Sequence, residues 1–456
     1  MAGIGFELNK MLHNQSFSSE IKAYLYSAII SSGPWLISII CLAILGMFSG
    51  IGLGTIEHEL FRSIIIYTYA FSLIFIGLIQ LVSIRYIADL LYKKKTQNIF
   101  ATFTTCTILV LLFGIFLSSL CYAFFEITLL QKVLSVILFL VVCMIWLSMI
   151  FLSAIKDYNS IVYAFVAGSL LSVIAAIQLA NFIKTDGYLI GYLIGQSFIM
   201  FCLLARLLSE FPPSKLWDKD LISYFKKFND LILIGFIYNL GIWVDKIVFW
   251  TAHDARVITP YFKVHDLYEG PIFFSYLTIV PTIALFILKI ETHFYQHYKQ
   301  YYEKITGKKN MASILDEKKM MLTRLKESLR EVLIIQGSIT SICIIFAPGL
   351  AQMVKLGPIQ IPLIRIALIG SLLNVLLYMI MIIMFYFDLR KCIMKVSMTF
   401  LVTNASLSFL TTKMGFQFYG YGYTYASLIS LVFAFYLLHV SMEDLEYITF
   451  AKQPIH

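Results

Sequence analysis

The sequence predicts an all-α polytopic membrane protein of about twelve transmembrane helices in two six-helix lobes. Three observations carry this prediction. Of 456 residues, 60% are hydrophobic and 13% charged, against roughly 45–50% and about 25% in a soluble domain. Apolar stretches of about 20 residues, enough to cross a hydrocarbon core of roughly 30 Å, recur along the chain. Lys and Arg collect on alternate loops, as they do when one side of a membrane retains them. Disorder and collagen-like repeats are excluded by the same composition.

Candidate spans lie near 24–48, 61–84, 100–122, 132–155, 160–182, 188–208, 229–251, 269–290, 332–353, 362–387, 392–412 and 421–442. None reads as a cleavable signal peptide, because no small-residue cleavage site follows the first apolar run. With the N-terminus inside, the outer basic residues are Arg62, Lys132, Lys184, Arg256, Lys263, Lys355, Arg365 and Lys413. Lys246 sits within a span, and the other 26 of the 35 Lys and Arg fall inside, including Lys10, Lys156 and Lys452. Both termini are therefore expected in the cytoplasm, and the net charge of +9 reflects topology rather than nucleic-acid binding. The seven cysteines sit in or beside apolar spans without a C-x-x-C pair, so neither a disulfide framework nor a thiolate metal site is implied.

The chain divides at Phe211-Pro212-Pro213, since Pro-Pro cannot continue a helix. The expected organisation is an N-lobe over 1–210, a cytoplasmic linker over 211–228 and a C-lobe over 229–456. Gly33-Pro34-Trp35 in the first span and Gly241-Ile242-Trp243 in the seventh give the halves a short similarity, and two six-helix halves are a common transporter plan. An insertion at about 291–331 breaks the symmetry. Within it Met311, Leu315, Leu322, Leu325, Leu329 and Val332 follow 3- and 4-residue steps broken only at Lys318, which makes one apolar helical stripe. A Lys/Arg-rich helix of this kind is expected to lie on anionic lipid, and docking to a cytoplasmic partner is the alternative.

Span seven reads Tyr238-Asn239-Leu240-Gly241-Ile242-Trp243-Val244-Asp245-Lys246-Ile247. Ionisable residues inside a span are costly and usually face a bundle interior or a watery path. Neighbouring side chains point about 100° apart on a helix, so Asp245 and Lys246 are not expected simply to neutralise each other. A structural bridge to other helices and a role in substrate passage or ion coupling both fit. Lys246 shares a face with Trp243 and Trp250, which permits a cation–π contact. Asn239, Asp266 and Glu269 complete the candidate transport path, although the last two could equally sit in an outer loop. Pro34 and Pro281 lie inside spans and are expected to kink them.

Gly187, Gly191 and Gly195 recur every fourth residue and form a strip where another helix can approach closely. Arg85 and Asp89 read as a local ion pair, and Tyr419, Tyr421, Tyr423 and Tyr425 as an interfacial belt. His293 and His297 have metal-like spacing but lack the accompanying Glu, so no metal or other cofactor is expected. Asp218-Lys219-Asp220 imitates a D-x-D motif in a linker too short for a nucleotide-sugar domain, and reads as a solvated charge cluster. No phosphate-loop motif occurs, which argues against ATP hydrolysis and for a protein that is not an enzyme.

The opening Met1-Ala2-Gly3-Ile4-Gly5-Phe6-Glu7-Leu8, Ser31-Ser32-Gly33-Pro34-Trp35, the span-seven string and Glu291-Thr292-His293-Phe294-Tyr295 resemble the PelG family of Pel exopolysaccharide exporters. The resemblance covers the whole chain. It implies the multidrug/oligosaccharidyl-lipid/polysaccharide flippase superfamily, with two six-helix lobes around a central cavity in the bacterial inner membrane. It further implies export of a glycan rich in N-acetylgalactosamine, made by a cytoplasmic glycosyltransferase, beside small membrane partners that include a cyclic-di-GMP sensor. Two other readings stay open: an ion-coupled lipid-linked oligosaccharide flippase or drug antiporter, and a non-transporting scaffold for a polysaccharide synthase.

Overall fold

The computed structural model describes residues 17–154 and 157–452. The N-terminal motif with Lys10, and Lys156, lie outside the described residues, as does the side chain of His293. In chain order the helices are α1 (Phe17–Gly52), α2 (Thr55–Tyr92), α3 (Gln97–Ala123), α4 (Leu129–Ala154), α5 (Tyr158–Glu210), α6 (Lys219–Lys227) and α7 (Asn229–Trp250). A two-stranded antiparallel hairpin, β1 (Arg256–Thr259) and β2 (Phe262–Val264), follows. Then come α8 (Asp266–Leu277), α9 (Val280–Lys289), α10 (Tyr295–Thr306), α11 (Met311–Ile345), α12 (Ala347–Met353), α13 (Ile361–Tyr386), α14 (Arg390–Met414) and α15 (Tyr421–Glu443).

Among the described residues, 11 helical segments are long and apolar enough to cross a membrane. One of them, α5, holds 53 residues and would reach about 80 Å if straight. It is instead interrupted at Ile183 and at Lys184, whose φ of 45° is left-handed. A Cβ on Gly187 would lie 2.5 Å from Leu179, one on Gly191 2.2 Å from Ala176, and one on Gly195 2.4 Å from the Gly168 oxygen. These pairs are mirrored about residue 183, so the chain doubles back there and the two arms are spans five and six. The glycine strip lets the arms touch backbone to backbone. In lipid, where apolar burial supplies no drive between helices, such close contact is a main source of association.

The described chain forms two compact units. One runs from Gly33 to Asp266; the other joins the described residues up to Ser32 to the chain from Leu267. Span seven thus belongs to the same compact unit as spans two to six. In that unit an apolar cluster around Phe103, Phe151, Leu207 and Leu221 fills the linker end, and another around Phe61, Tyr67, Trp250 and Phe262 fills the hairpin end. In the other unit α13 and α14 both pack on α15. Gly422 admits the backbone of Ser408 there, only 2.6 Å from where its Cβ would stand.

Span eight is broken. Its helix stops at Leu277 and resumes at Val280, with Pro281 in the first turn of the second piece, where the missing N–H has no helical partner to lose. Tyr24 donates to the Pro281 carbonyl at 2.9 Å and Ser27 to Ala284 O at 2.7 Å, both from the first half of α1. Pro34, in contrast, sits within α1 without ending it. The boundary between the compact units falls one residue before Pro34, at Ser32 and Gly33.

The insertion corrects the expectation of a helix lying on lipid. A π-turn over Ile290–Phe294 leads into α10, which turns at Gly307 and packs back against α11. No Gly or Pro falls between Met311 and Gln336, so nothing stops the helix, and α11 runs unbroken from the insertion into span nine. Glu317 fastens the hairpin, taking Lys304 at 2.8 Å and His297 at 2.7 Å. The buried face of α11 is Ile314, Glu317, Met321, Leu325, Ser328 and Val332. Leu325 is thus packed within its own chain and not offered to a partner, while Leu315, Leu322 and Leu329 are half-buried.

Candidate translocation site

Span seven enters its unit by crossing α2. At the crossing, a Cβ on Gly235 would stand 2.1 Å from the Gly77 oxygen, so both glycines are needed for the contact. Asn239 is half-buried one turn further on and donates to its own helix at Gly235 O, 2.9 Å away. Toward the hairpin end, Tyr67 stacks on Trp250 with ring centroids 4.2 Å apart and planes at 15°. These two contacts fix α2 and α7 as antiparallel neighbours.

Between them lie Asp245, with no exposed surface, and Lys246, which is 8% exposed. The expectation that these neighbours would not neutralise each other is corrected. Lys246 Nζ lies 3.1 Å from each carboxylate oxygen of Asp245. The long aliphatic stem of lysine lets its ammonium swing back around the helix, a freedom that a fixed angular offset ignores. The same ammonium donates to Ile242 O at 3.1 Å and stands 5.7 Å from the centre of the Trp243 ring. A buried ion pair of this kind is tolerated only when matched and hydrogen-bonded, because losing either partner strands a charge in a medium of low dielectric.

At the hairpin end the charges form a network that is exposed except at Glu59. Arg256 on β1 reaches Glu59 and Asp266, each at 2.8 Å, and Arg62 lies 3.6 Å from Asp266. Phe262 on β2 stacks on Phe125 at 4.2 Å, and Tyr67 donates to Lys263 O at 2.8 Å, so the hairpin is pinned to span two and to the loop after span three. Asp266 is therefore bound to the rim of its unit rather than to the Asp245–Lys246 pair. Glu269 is half-buried in the first turn of α8.

Besides Glu317 in the insertion, two more buried carboxylates went unrecognised in the sequence. Asp218 is 6% exposed, which corrects its reading as part of a solvated cluster. It caps α6 by accepting from the N–H groups of Asp220 and Leu221, and also takes the hydroxyls of Tyr86 at 2.9 Å and Thr102 at 3.0 Å. An Asp just before the amphipathic Lys219–Lys227 stretch is a helix-start signal that could have revealed it. Nearby, Asp89 accepts from Tyr224 at 2.7 Å and Arg85 lies 4.5 Å from the centre of the Phe228 ring. In the other unit Glu291, 2% exposed within the π-turn, accepts from Tyr386 at 2.9 Å. π-turns recur at functional sites, but no sequence signal marks one here. Of the tyrosines opening span twelve, Tyr419 and Tyr423 are buried, while Tyr421 and Tyr425 are exposed. No group of three or more His, Cys, Asp or Glu able to hold a metal occurs among the described residues.

The assembly of helices defines the class first: this is a multi-pass membrane protein with the fold of the MATE transporters of the MOP superfamily. An inward-facing multidrug resistance MATE family transporter of that superfamily superposes with a TM-score of 0.64, at 13% identity over 92% of this chain and 99% of the other. A MOP superfamily transporter from Pyrococcus furiosus gives 0.60, at 13% identity over 92% and 96%. At such identities the likeness is one of fold. The sequence matches the PelG family, described as exopolysaccharide exporter (EPS-E), over residues 1–450, and the chain belongs to that family. No curated protein matches it.

Proposed function

We propose that this protein carries an N-acetylgalactosamine-rich exopolysaccharide across the bacterial cytoplasmic membrane as a cytoplasmic glycosyltransferase makes it. The observation that carries the reading is family membership over residues 1–450, joined to a transporter fold. The bias of Lys and Arg toward one set of loops supports cytoplasmic termini. It also puts the insertion hairpin on the side of the glycosyltransferase and of a cyclic-di-GMP-sensing membrane partner. In this reading Asp245, Lys246, Trp243 and Asn239 belong to the path of the glycan.

The test is the distribution of hexosamine polymer in a strain lacking only this gene. Polymer lost outside and retained inside supports export, whereas unchanged extracellular polymer overturns it. Complementation with Asp245→Asn/Lys246→Met then probes the path. Removing both charges together avoids a stranded ion, so the variant is expected to reach the membrane at normal level and fail to restore export.

A further inference from the structure

Beside the buried Asp218, the 211–228 linker turns two large apolar side chains outward: Leu216 is 68% exposed and Trp217 41%. Hydrogen bonds to α3 fix their height along the spans. Ser214 donates to Gln97 O, in the first turn of α3, at 2.9 Å. Two residues later the Thr104 hydroxyl donates to Leu216 O at 2.7 Å. Between these contacts the linker descends from the level of Gln97 to that of Thr104, roughly 10 Å along the helix. Thr104 is already inside span three. At Asp218 the chain turns inward, and its N–H donates to Thr105 Oγ1 at 2.9 Å.

The side of α3 that carries Leu216 is its outer side. Thr104, Ile108, Leu112 and Ile115 are spaced by four, four and three residues and so share one face. Ile108, Leu112 and Ile115 are exposed, as apolar side chains on a span are where it meets acyl chains. Leu216 and Trp217 continue that apolar surface by one turn toward the end of the span.

Beside them stand cations. Lys93, Lys94 and Lys95 form the turn that precedes α3, Lys215 precedes Leu216, and Lys219 follows Asp218; all are exposed. Among the described residues none of these ammonium groups meets a carboxylate, and residues 92–97 and 212–220 expose a single acid, Asp220.

This order of groups matches the headgroup boundary of a bilayer. Indole rings gather there, lysine stems reach outward to phosphates, and unmatched lysines beside a membrane are drawn to anionic lipid. A protein docking beyond the helix ends would meet the lysines, but not apolar side chains seated down the outer side of a span. We infer that the Lys93–Lys95 turn and the Ser214–Lys219 stretch form a site for anionic phospholipid. Leu216 and Trp217 enter the acyl boundary, and Lys93, Lys94, Lys95 and Lys215 hold the headgroup phosphate. The site stands apart from the exporter reading, since it needs only that the chain spans a membrane.

The test uses the purified full-length protein in nanodiscs of phosphatidylcholine, alone or mixed equally with phosphatidylglycerol. Trp217 emission is taken as the difference between wild type and Trp217→Phe. It is expected to be quenched by lipid brominated close to the headgroup and much less by lipid brominated at the chain end. Competition between the two lipids for the protein is then measured in detergent. Wild type is expected to prefer phosphatidylglycerol, and Lys93→Gln/Lys215→Gln to weaken that preference about fivefold or more. Lys308→Gln/Lys309→Gln removes the same charge from the insertion tip and is expected to leave the preference unchanged. Trp217 emission quenched by aqueous acrylamide but by neither lipid overturns the site, and is the result a protein-docking surface would give. No preference in wild type, or an equal loss in the two double variants, overturns it as well.

Discussion

Asp245 in span seven and Asp218 in the linker are both buried in the same unit, and they are held by opposite means. Asp245 is matched by a full positive charge from Lys246. Asp218 is surrounded by neutral donors: two hydroxyls and two backbone N–H groups. The difference teaches that burial alone does not say what a carboxylate needs. A charge partner becomes a liability once the carboxylate is gone, whereas hydroxyls can turn and accept as readily as they donate.

The same amide substitution separates the two. Asp245→Asn strands the Lys246 ammonium and is expected to cost about 3–5 kcal/mol, seen as a lower melting temperature of the purified protein. Asp245→Asn/Lys246→Met should recover most of that loss. If the single and double variants melt alike, the pair is not the coupled unit described. Asp218→Ala removes the cap and is expected to cost about 1–2 kcal/mol, with faster proteolysis of the 211–228 linker. Asp218→Asn keeps the acceptor and should stay within about 1 kcal/mol of wild type. An Asn variant as damaging as Ala would mean that Asp218 needs its charge.

Asp157, which caps α5, is a third case and the smallest. Burial alone would raise its carboxyl, but hydrogen bonds from Arg206 and from Ser160 outweigh that and hold it below the usual carboxylate range. Its contribution is complete above about pH 4 and is lost as pH falls through the lowered folded value. In Arg206→Gln most of that contribution is already absent at neutral pH, so the acid-side loss should shrink, and high salt should mimic the variant. A melting profile between pH 3 and 6 that is identical in both proteins would count against the pair.

The spans were legible because membrane burial demands long apolar runs, and the doubling back of α5 was legible as two separate runs with basic Lys184 between them. Asp245 and Lys246 stood out for the same reason, since charge inside such a run is expensive. Their mutual pairing was not legible, because angular offset along a helix says nothing of where a four-carbon stem can reach. Asp218 was misread from its neighbours Lys219 and Asp220, although the donors that bury it come from residues more than 100 positions away. The β1–β2 hairpin escaped notice because its stability comes from Phe262 and Tyr67 meeting across the fold, with no alternation in a strand of three or four residues. The phase of the insertion stripe was set by α10 packing on α11, which favoured Met321 and Leu325 over Leu322.

The uninterrupted course of α11 has a mechanical consequence. Its 35 residues make a rod of about 52 Å, with roughly the first 30 Å preceding Val332. Lys289 grips the rod at Glu331, 2.8 Å away, where the insertion meets the span, and Lys318, two turns from its start, is tied to Glu446 at 2.7 Å. There is no joint between tip and span. The rod is a lever with its fulcrum near Glu331, and whatever displaces the exposed Lys308–Lys309 tip tilts span nine with it.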